Sequence, residues 1–180
     1  MKKVLLLSGF ASLGILVLPF IFADRSQAEV IISSAKIAAI RTHCVENQAT
    51  LNQLRQTDAF LRINRGNLYR TVSDKLMTPL NNQITASKLD ATLLTAITAK
   101  FDAAYKTFYA DYITYDTNVS KLSTINCTKA PVSFYNALIV TREARQQLAK
   151  SNQLLVQLAQ DYKTQFDQFK MTFEKGMAAE

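Results

Sequence analysis

Apolar residues recur at heptad spacing through three long stretches of this sequence, and this repeat limits the fold more than any other feature. The middle stretch shows it most strictly, with Leu94, Phe101, Phe108, Tyr115 and Leu122 each seven residues apart. Such a repeat forms one stripe along an α-helix, which another helix must cover. Glycine and proline, which turns favour, number only 4 and 3 in 180 residues. The sequence therefore predicts an all-α protein with few, long helices.

Three helices follow from the repeats, at about residues 34–80, 87–124 and 131–176. The first helix is expected to end between Met77 and Asn82, where Thr78 and Pro79 disturb it, because proline disfavours helix in the residue before it. Residues 87–90 resemble a capping box with Asp90 in place of glutamate, and Pro131 suits the first turn of the third helix. Since the connections are short, neighbouring helices must run antiparallel. Residues 29–180 are thus predicted to form an antiparallel, coiled-coil-like bundle of three long helices.

On each predicted helix, residues spaced seven apart form rows along one face, and these rows contain the candidate core residues. The first helix carries the rows Ile37, Cys44, Leu51, Asp58, Arg65, Val72 and Ile40, Asn47, Leu54, Leu61, Leu68. The second carries, besides its main row, Ile97, Ala104, Tyr112 and Val119. The third carries Phe134, Thr141, Leu148, Leu155, Tyr162, Phe169 and Leu138, Arg145, Asn152, Ala159, Phe166, Phe173. Polar residues interrupt the rows of the first and third helices.

Residues 1–28 form a segment of a different kind. Lys2 and Lys3 precede residues 4–23, twenty residues without a charge, which are long enough to cross a bilayer as a helix. Positive charge before such a segment predicts that the rest of the chain lies outside the cytoplasm. Ser26 and Ala28 fit signal-peptide cleavage before Glu29, whereas the length of the apolar run fits an uncleaved N-terminal transmembrane anchor. Either alternative predicts a periplasmic or extracellular body, secreted or anchored to the cytoplasmic membrane.

The chain contains two cysteines, Cys44 and Cys127. An exported chain with two cysteines most simply forms one disulfide. When the chain is folded back near residue 82, Cys44 comes within about two helical turns of Cys127, and the geometry supports the pairing. A metal site is the alternative, but the lone His43 and two cysteines are one ligand short of a zinc site, so no metal is predicted.

The sequence offers no pattern typical of an active site, such as a nucleophile with its base or a glycine-rich phosphate loop. We therefore expect no enzyme activity and no cofactor. Arg55, Arg62 and Arg65 recur near one face of the first helix in a chain of net charge +7. Tyr105 and Tyr109 lie partly off the apolar row of the second helix. These five residues are the candidate interaction surface, the alternatives being solubilising charge for the arginines and core packing for the aromatic run.

Several residues between Cys44 and Tyr162 carry a resemblance to a known group of proteins. They are Cys44, Asp111, Tyr112, Tyr115, Cys127, Phe134, Ala137, Leu138, Ala144, Arg145 and Leu148. Their layout resembles a family of uncharacterised, exported or membrane-anchored helical-bundle proteins of bacteria with very small genomes. The resemblance implies export and a helical body, and it implies no particular activity.

Two hypotheses on function follow. The first is an extracytoplasmic structural or interaction protein of the cell envelope that presents a rigid helical bundle. Its partner would be a protein or an anionic envelope polymer, with the membrane contacted through residues 4–23 if the leader is uncleaved; an oligomer is compatible with this role, and nucleic acid is not an expected partner. The alternative is a periplasmic or extracellular binding module, such as a holdase chaperone or a small-ligand sensor.

Overall fold

The computed structural model describes residues 32–178, which belong to one compact unit. Its regular elements are α1 (Ser34–Thr42), α2 (Cys44–Thr71), a π-helical segment (Val72–Met77), α3 (Thr78–Ala86), α4 (Thr92–Thr124) and α5 (Pro131–Met177). No β-strand occurs in residues 32–178, so the predicted all-α class is confirmed for this part of the chain. None of its helices is both long and apolar enough to cross a membrane. The predicted export segment, residues 1–28, lies outside the described residues.

The first predicted helix is present, but it is longer and less regular than predicted. The Ser33 hydroxyl accepts a hydrogen bond from the Lys36 backbone N–H and so caps α1. His43 leaves helical geometry and separates α1 from α2. Further on, the chain does not end its helix at Pro79. It widens into a π-helical turn, in which the Thr78 N–H bonds to the Ser73 carbonyl five residues back, and then continues to Ala86.

The π-helical segment explains why the helix continues to Ala86, past the predicted end at about residue 80. Proline has no N–H to donate, and in a regular helix its ring collides with the carbonyl four residues earlier. A π turn places one extra residue in that turn, which accommodates Pro79 near the start of α3. Buried polar groups hold this irregular region, because the Tyr162 hydroxyl donates to the Met77 carbonyl at 3.2 Å and to Asn81 Oδ1 at 2.8 Å.

The connection between α3 and α4 also differs from the prediction. Ser87 does not start a helix: residues 87–89 close α3 with two backbone bonds, from the Lys88 N–H to the Thr85 carbonyl and from the Leu89 N–H to the Ile84 carbonyl. This pattern requires a left-handed residue, and Lys88 has φ 60°. The Asp90 carboxylate then accepts from the Thr92 N–H at 2.8 Å, and α4 begins there.

α4 and α5 form an antiparallel pair with the most extensive contact between any two helices. Leu122 packs in one cluster with Phe134, while Phe101 packs in another with Leu155, so residue numbers rise along α4 as they fall along α5. The main row predicted for the second helix is buried throughout. α2 lies mainly against α4, where the Tyr69 ring meets Phe108 edge-on at 5.5 Å between centroids.

The predicted disulfide between Cys44 and Cys127 is present, with a Cα–Cα distance of 5.4 Å. It joins the first residue of α2 to the connection between α4 and α5. Both cysteines are buried in an apolar cluster with Ile40, Leu122 and Phe134. A second, larger cluster surrounds Phe101 and Met77 near the opposite end of the bundle. The two clusters are separated along α2, and the residues between them form the candidate site.

Candidate functional site

The face of α2 that is turned toward α4 and α5 is charged in its middle part. Between the buried residues Leu51 and Tyr69, positions spaced four and three residues apart are occupied by Arg55, Asp58, Arg62 and Arg65. These are the positions that apolar side chains occupy in a packed helix seam. Two large apolar residues of the same stretch lie on the outer face instead, with Phe60 67% and Ile63 51% exposed. Here the side of α2 that borders α4 is therefore polar, and apolar side chains reach solvent.

Asp58 is largely enclosed, with 16% of its side chain exposed. Its Oδ2 accepts a hydrogen bond from the Tyr115 hydroxyl at 2.5 Å, and Arg145 Nε lies 4.0 Å from the same oxygen. Burial, with the hydrogen bond to Asp58 as the next cause, strongly raises the pKa of Tyr115. Tyr115 is therefore a neutral donor at physiological pH, and one carboxylate is shared by residues from α2, α4 and α5.

Arg62 lies at the centre of the charged stretch, over the face of an aromatic ring. Its guanidinium carbon is 4.4 Å from the centroid of the Tyr112 ring, within the range of a cation–π interaction. Its Nε is buried and, among residues 32–178, has no hydrogen-bond partner. Burial raises the pKa of Tyr112, with Asp116 as the next cause, so the ring beneath the guanidinium stays uncharged.

Arg55 and Arg65 flank Arg62 two turns and one turn away, respectively. Arg55 Nε lies 3.5 Å from Asp116 Oδ1, and both side chains are partly exposed, so this pair is weak. Arg65 Nη1 donates to Asn152 Oδ1 at 3.1 Å, and the same oxygen accepts from the Tyr69 hydroxyl at 2.7 Å. Burial raises the pKa of Tyr69, while the charge of Arg65 acts against this rise.

Two open grooves adjoin the Arg62–Tyr112 contact, and both residues line each groove. The first has a volume of about 500 Å³ and is otherwise lined by Asn52, Arg55, Gln56, Ala59 and Asp116. The second has a volume of about 320 Å³ and is otherwise lined by Asp58, Arg65, Phe108, Arg145, Leu148, Ala149, Asn152 and Gln153. We refer to the second as the arginine groove. It combines three guanidinium groups with an apolar wall.

The structure brings together only part of the predicted interaction surface. Arg55, Arg62 and Arg65 share one face of the first helix, as predicted, and this face borders the two grooves: Arg62 is partly buried there, while Arg55 and Arg65 remain exposed. Tyr105 packs partly buried against the large apolar cluster. Tyr109 is 51% exposed and lines neither groove. The two tyrosines therefore do not extend the arginine site.

Sequence reasoning missed the partners of the arginines: Asp58, Tyr112, Tyr115, Arg145 and Asn152. A signal for them was present, because Asp58, Arg145 and Asn152 all interrupt predicted apolar rows. His43, which was weighed as a metal ligand, is exposed and lies 3.0 Å from Glu46 Oε2 through its Nδ1.

No protein-family model, curated protein or solved structure matches this chain. The fold and the site thus define a disulfide-linked helical bundle in which a charged stretch of α2 lies between two apolar clusters and contacts a third, formed by Tyr112, Tyr115, Val119 and Ala144. The chemistry that this layer offers is hydrogen bonding and charge, supplied by guanidinium groups, neutral phenols and carboxylates.

Proposed function

We propose that this chain is an extracytoplasmic structural or interaction protein of the cell envelope, which presents a rigid antiparallel bundle of three long helices. The observation that carries the proposal is the disulfide between Cys44 and Cys127. Structural disulfides persist in oxidising compartments outside the cytoplasm. In this proposal residues 1–28 direct export, either as a cleaved signal peptide or as a membrane anchor.

The shape of the body supports a role in presenting surfaces over a distance. α5 alone contains 47 residues, which corresponds to about 70 Å at the helical rise of 1.5 Å per residue. Phe60 and Ile63 offer apolar side chains on the outer face of α2, and Tyr109 offers an aromatic one on α4. Apolar and aromatic side chains of this kind are common in the centres of protein interfaces. The partner would be a protein or an anionic envelope polymer.

The topological part of the proposal is tested with a reporter fused after Glu180. Alkaline phosphatase, which needs disulfides of its own, should be active in the fusion, and a cytoplasmic reporter should be inactive. The opposite pattern would remove the export argument. The mass of the protein recovered from envelopes then separates cleavage before Glu29 from an uncleaved anchor.

The interaction part is tested by cross-linking in intact cells. A photo-reactive residue at Ile63 should give a discrete product containing a second polypeptide or polymer. The same residue at Ala144, which is buried in a cluster with Tyr112, Tyr115 and Val119, is the control and should give mainly internal links. No product from Ile63, Phe60 or Tyr109 in cells that express the protein normally would count against a partner on these faces.

The second candidate is an extracytoplasmic binding module, and the grooves beside Arg62 favour it in the form of a small-ligand sensor. Ligand sites in helical bundles are built from side chains of facing helices, as the arginine groove is. The holdase form of this candidate depends on exposed apolar surface instead. Suppression of the aggregation of an unfolded client by the purified protein would favour the holdase, and its absence would favour the sensor.

A further inference from the structure

We propose that the arginine groove binds a small organic dianion, a phosphate monoester or a dicarboxylate, with its anionic group held by Arg62 and Arg65. The inference goes beyond the envelope role, because it concerns what the bundle binds and not where it acts. Three independent observations support it: the balance of charge, the state of Arg62 and the composition of the wall.

The balance of charge leaves two arginines without a carboxylate. The residues that line the two grooves include four arginines and two aspartates. Arg55 is paired with Asp116, and Arg145 lies beside Asp58, which also accepts the Tyr115 hydroxyl. Within residues 32–178, Arg62 contacts an aromatic ring and Arg65 a neutral amide. The site therefore carries two uncompensated positive charges, which a dianion would neutralise.

Arg62 is held in place before any ligand binds. The Tyr112 ring supports one face of its guanidinium, and the helix backbone fixes it three residues from Arg65, so both groups project into one groove. Burying the Nε of a charged guanidinium without a hydrogen-bond partner is unfavourable, since desolvation of that donor is not compensated. A planar guanidinium matches a carboxylate or phosphate through two parallel hydrogen bonds. An oxyanion beside Arg62 would compensate part of this cost.

The wall of the groove indicates that the ligand has an apolar body. Phe108, Leu148 and Ala149 also line this groove, which has a volume of about 320 Å³. A bare inorganic ion would leave these side chains in contact with water. A ligand with an aliphatic or aromatic part would cover them and gain from their burial. The space suits a small molecule and not a polymer segment.

Isothermal titration calorimetry on the full chain in a neutral detergent tests the proposal. The probes are phenyl phosphate and pimelate, which represent the two kinds of dianion, inorganic phosphate, which lacks the apolar part, and heparin, a long polyanion. We expect one of the two organic dianions to bind with one-to-one stoichiometry, and inorganic phosphate to bind at least tenfold more weakly. Which of the two organic dianions binds then shows whether the ligand is a phosphate monoester or a dicarboxylate.

Variants connect the binding to the groove. Arg62→Gln and Arg65→Gln should each raise the dissociation constant about tenfold. This is the usual effect of losing one charge-assisted hydrogen bond. Arg70→Gln is the matched control, because Arg70 is an exposed arginine on the same helix that lines neither groove. Arg65 is exposed, so its variant tests the site even if Arg62→Gln fails to fold, which circular dichroism would reveal.

Three results would overturn the inference: no binding of either organic dianion, equal weakening by Arg70→Gln, or binding of heparin alone. The last result would indicate a general effect of positive surface charge. None of these results bears on the reporter fusion or on cross-linking from Ile63, so a failure here leaves the proposed envelope role to its own tests.

Discussion

The Tyr115 hydroxyl donates a hydrogen bond of 2.5 Å to the Asp58 carboxylate, which lies 57 residues earlier in the chain. This bond crosses from α4 to α2 in the middle of the charged layer, beside the apolar cluster of Tyr112, Tyr115, Val119 and Ala144. It ties α2 to α4 at a point where α2 contributes a polar side chain to the contact. The strength of this bond is therefore open to direct measurement.

Tyr115→Phe removes the donor and leaves the enclosed Asp58 carboxylate with only the distant Arg145. We expect the free energy of unfolding to fall by about 1–3 kcal/mol, the usual cost of an unsatisfied buried group. Asp58→Asn should cost a similar amount, and the double variant should cost at least ~1 kcal/mol less than the two added together. Urea unfolding followed by circular dichroism measures these values. Tyr109→Phe is the control, since Tyr109 is exposed; additive effects of the two main variants would show that the bond contributes nothing.

Stability should fall as the pH rises above about 10, the pKa of a tyrosine in the unfolded chain. Burial raises the pKa of Tyr69, Tyr112, Tyr115 and Tyr162 in the folded protein. Above pH 10 the unfolded chain releases these protons while the folded chain keeps them, so the unfolded state is favoured progressively. The contribution is fully present below pH 10. Urea midpoints measured from pH 8 to 11.5 should show the decline, and Tyr115→Phe should make it shallower; an unchanged slope in that variant would contradict the assignment.

Replacing both Cys44 and Cys127 with serine should lower the melting temperature markedly while the helical signal at low temperature is retained. The disulfide closes a loop with a sequence separation of 83 residues, for which loop entropy gives an upper value of about 4.5 kcal/mol. The helices still pack without it, because the α4–α5 contact does not depend on the bond. Mass spectrometry of alkylated, unreduced protein recovered from the envelope provides the companion measurement. Two free thiols there would contradict a structural role.

Lys88→Gly should stabilise the protein by about 0.5–1 kcal/mol. Lys88 has φ 60°, a left-handed conformation that costs a residue with a Cβ about 1–2 kcal/mol and costs glycine nothing. Part of the gain is lost because glycine makes the unfolded chain more flexible. Ser87→Gly is the matched control: its φ is −80°, so only the unfavourable part applies and stability should fall. Thermal denaturation of both variants decides whether the left-handed turn is present.

The sequence was sufficient to predict the buried face of α4, and the reason lies in its main apolar row. Leu94, Phe101 and Phe108 follow one another without a polar interruption, so the repeat identifies the buried face directly. In α2 the repeat predicted Leu68 as a core residue, yet Leu68 is 57% exposed and its neighbour Tyr69 is buried. The row containing Tyr69 also includes Arg55 and Arg62, and a hydrophobic repeat cannot identify a contact row whose other members are charged.

Tertiary contacts set the remaining features. The common face of Arg55, Arg62 and Arg65 follows from their spacing alone, but its orientation toward Tyr112 and Asn152 depends on how α2 docks on α4 and α5. Pro79 was taken as the end of a helix because proline usually interrupts one. The packed Met77 and the bond from Tyr162 hold the chain in a π turn there instead. At Pro79, contacts between residues distant in the sequence therefore decide the backbone conformation, and local helix propensity does not.

The position of the disulfide determines how this chain would carry a mechanical load. The bond closes a covalent ring, from Cys44 to Cys127, that contains α2, the π-helical segment, α3 and α4. Tension applied between residue 32 and the end of α5 passes through α1 and the two sulfur atoms directly into the start of α5. The backbone between the two cysteines is bypassed by this force. Its 83-residue separation, about 280 Å when extended, cannot be pulled out until the disulfide is reduced.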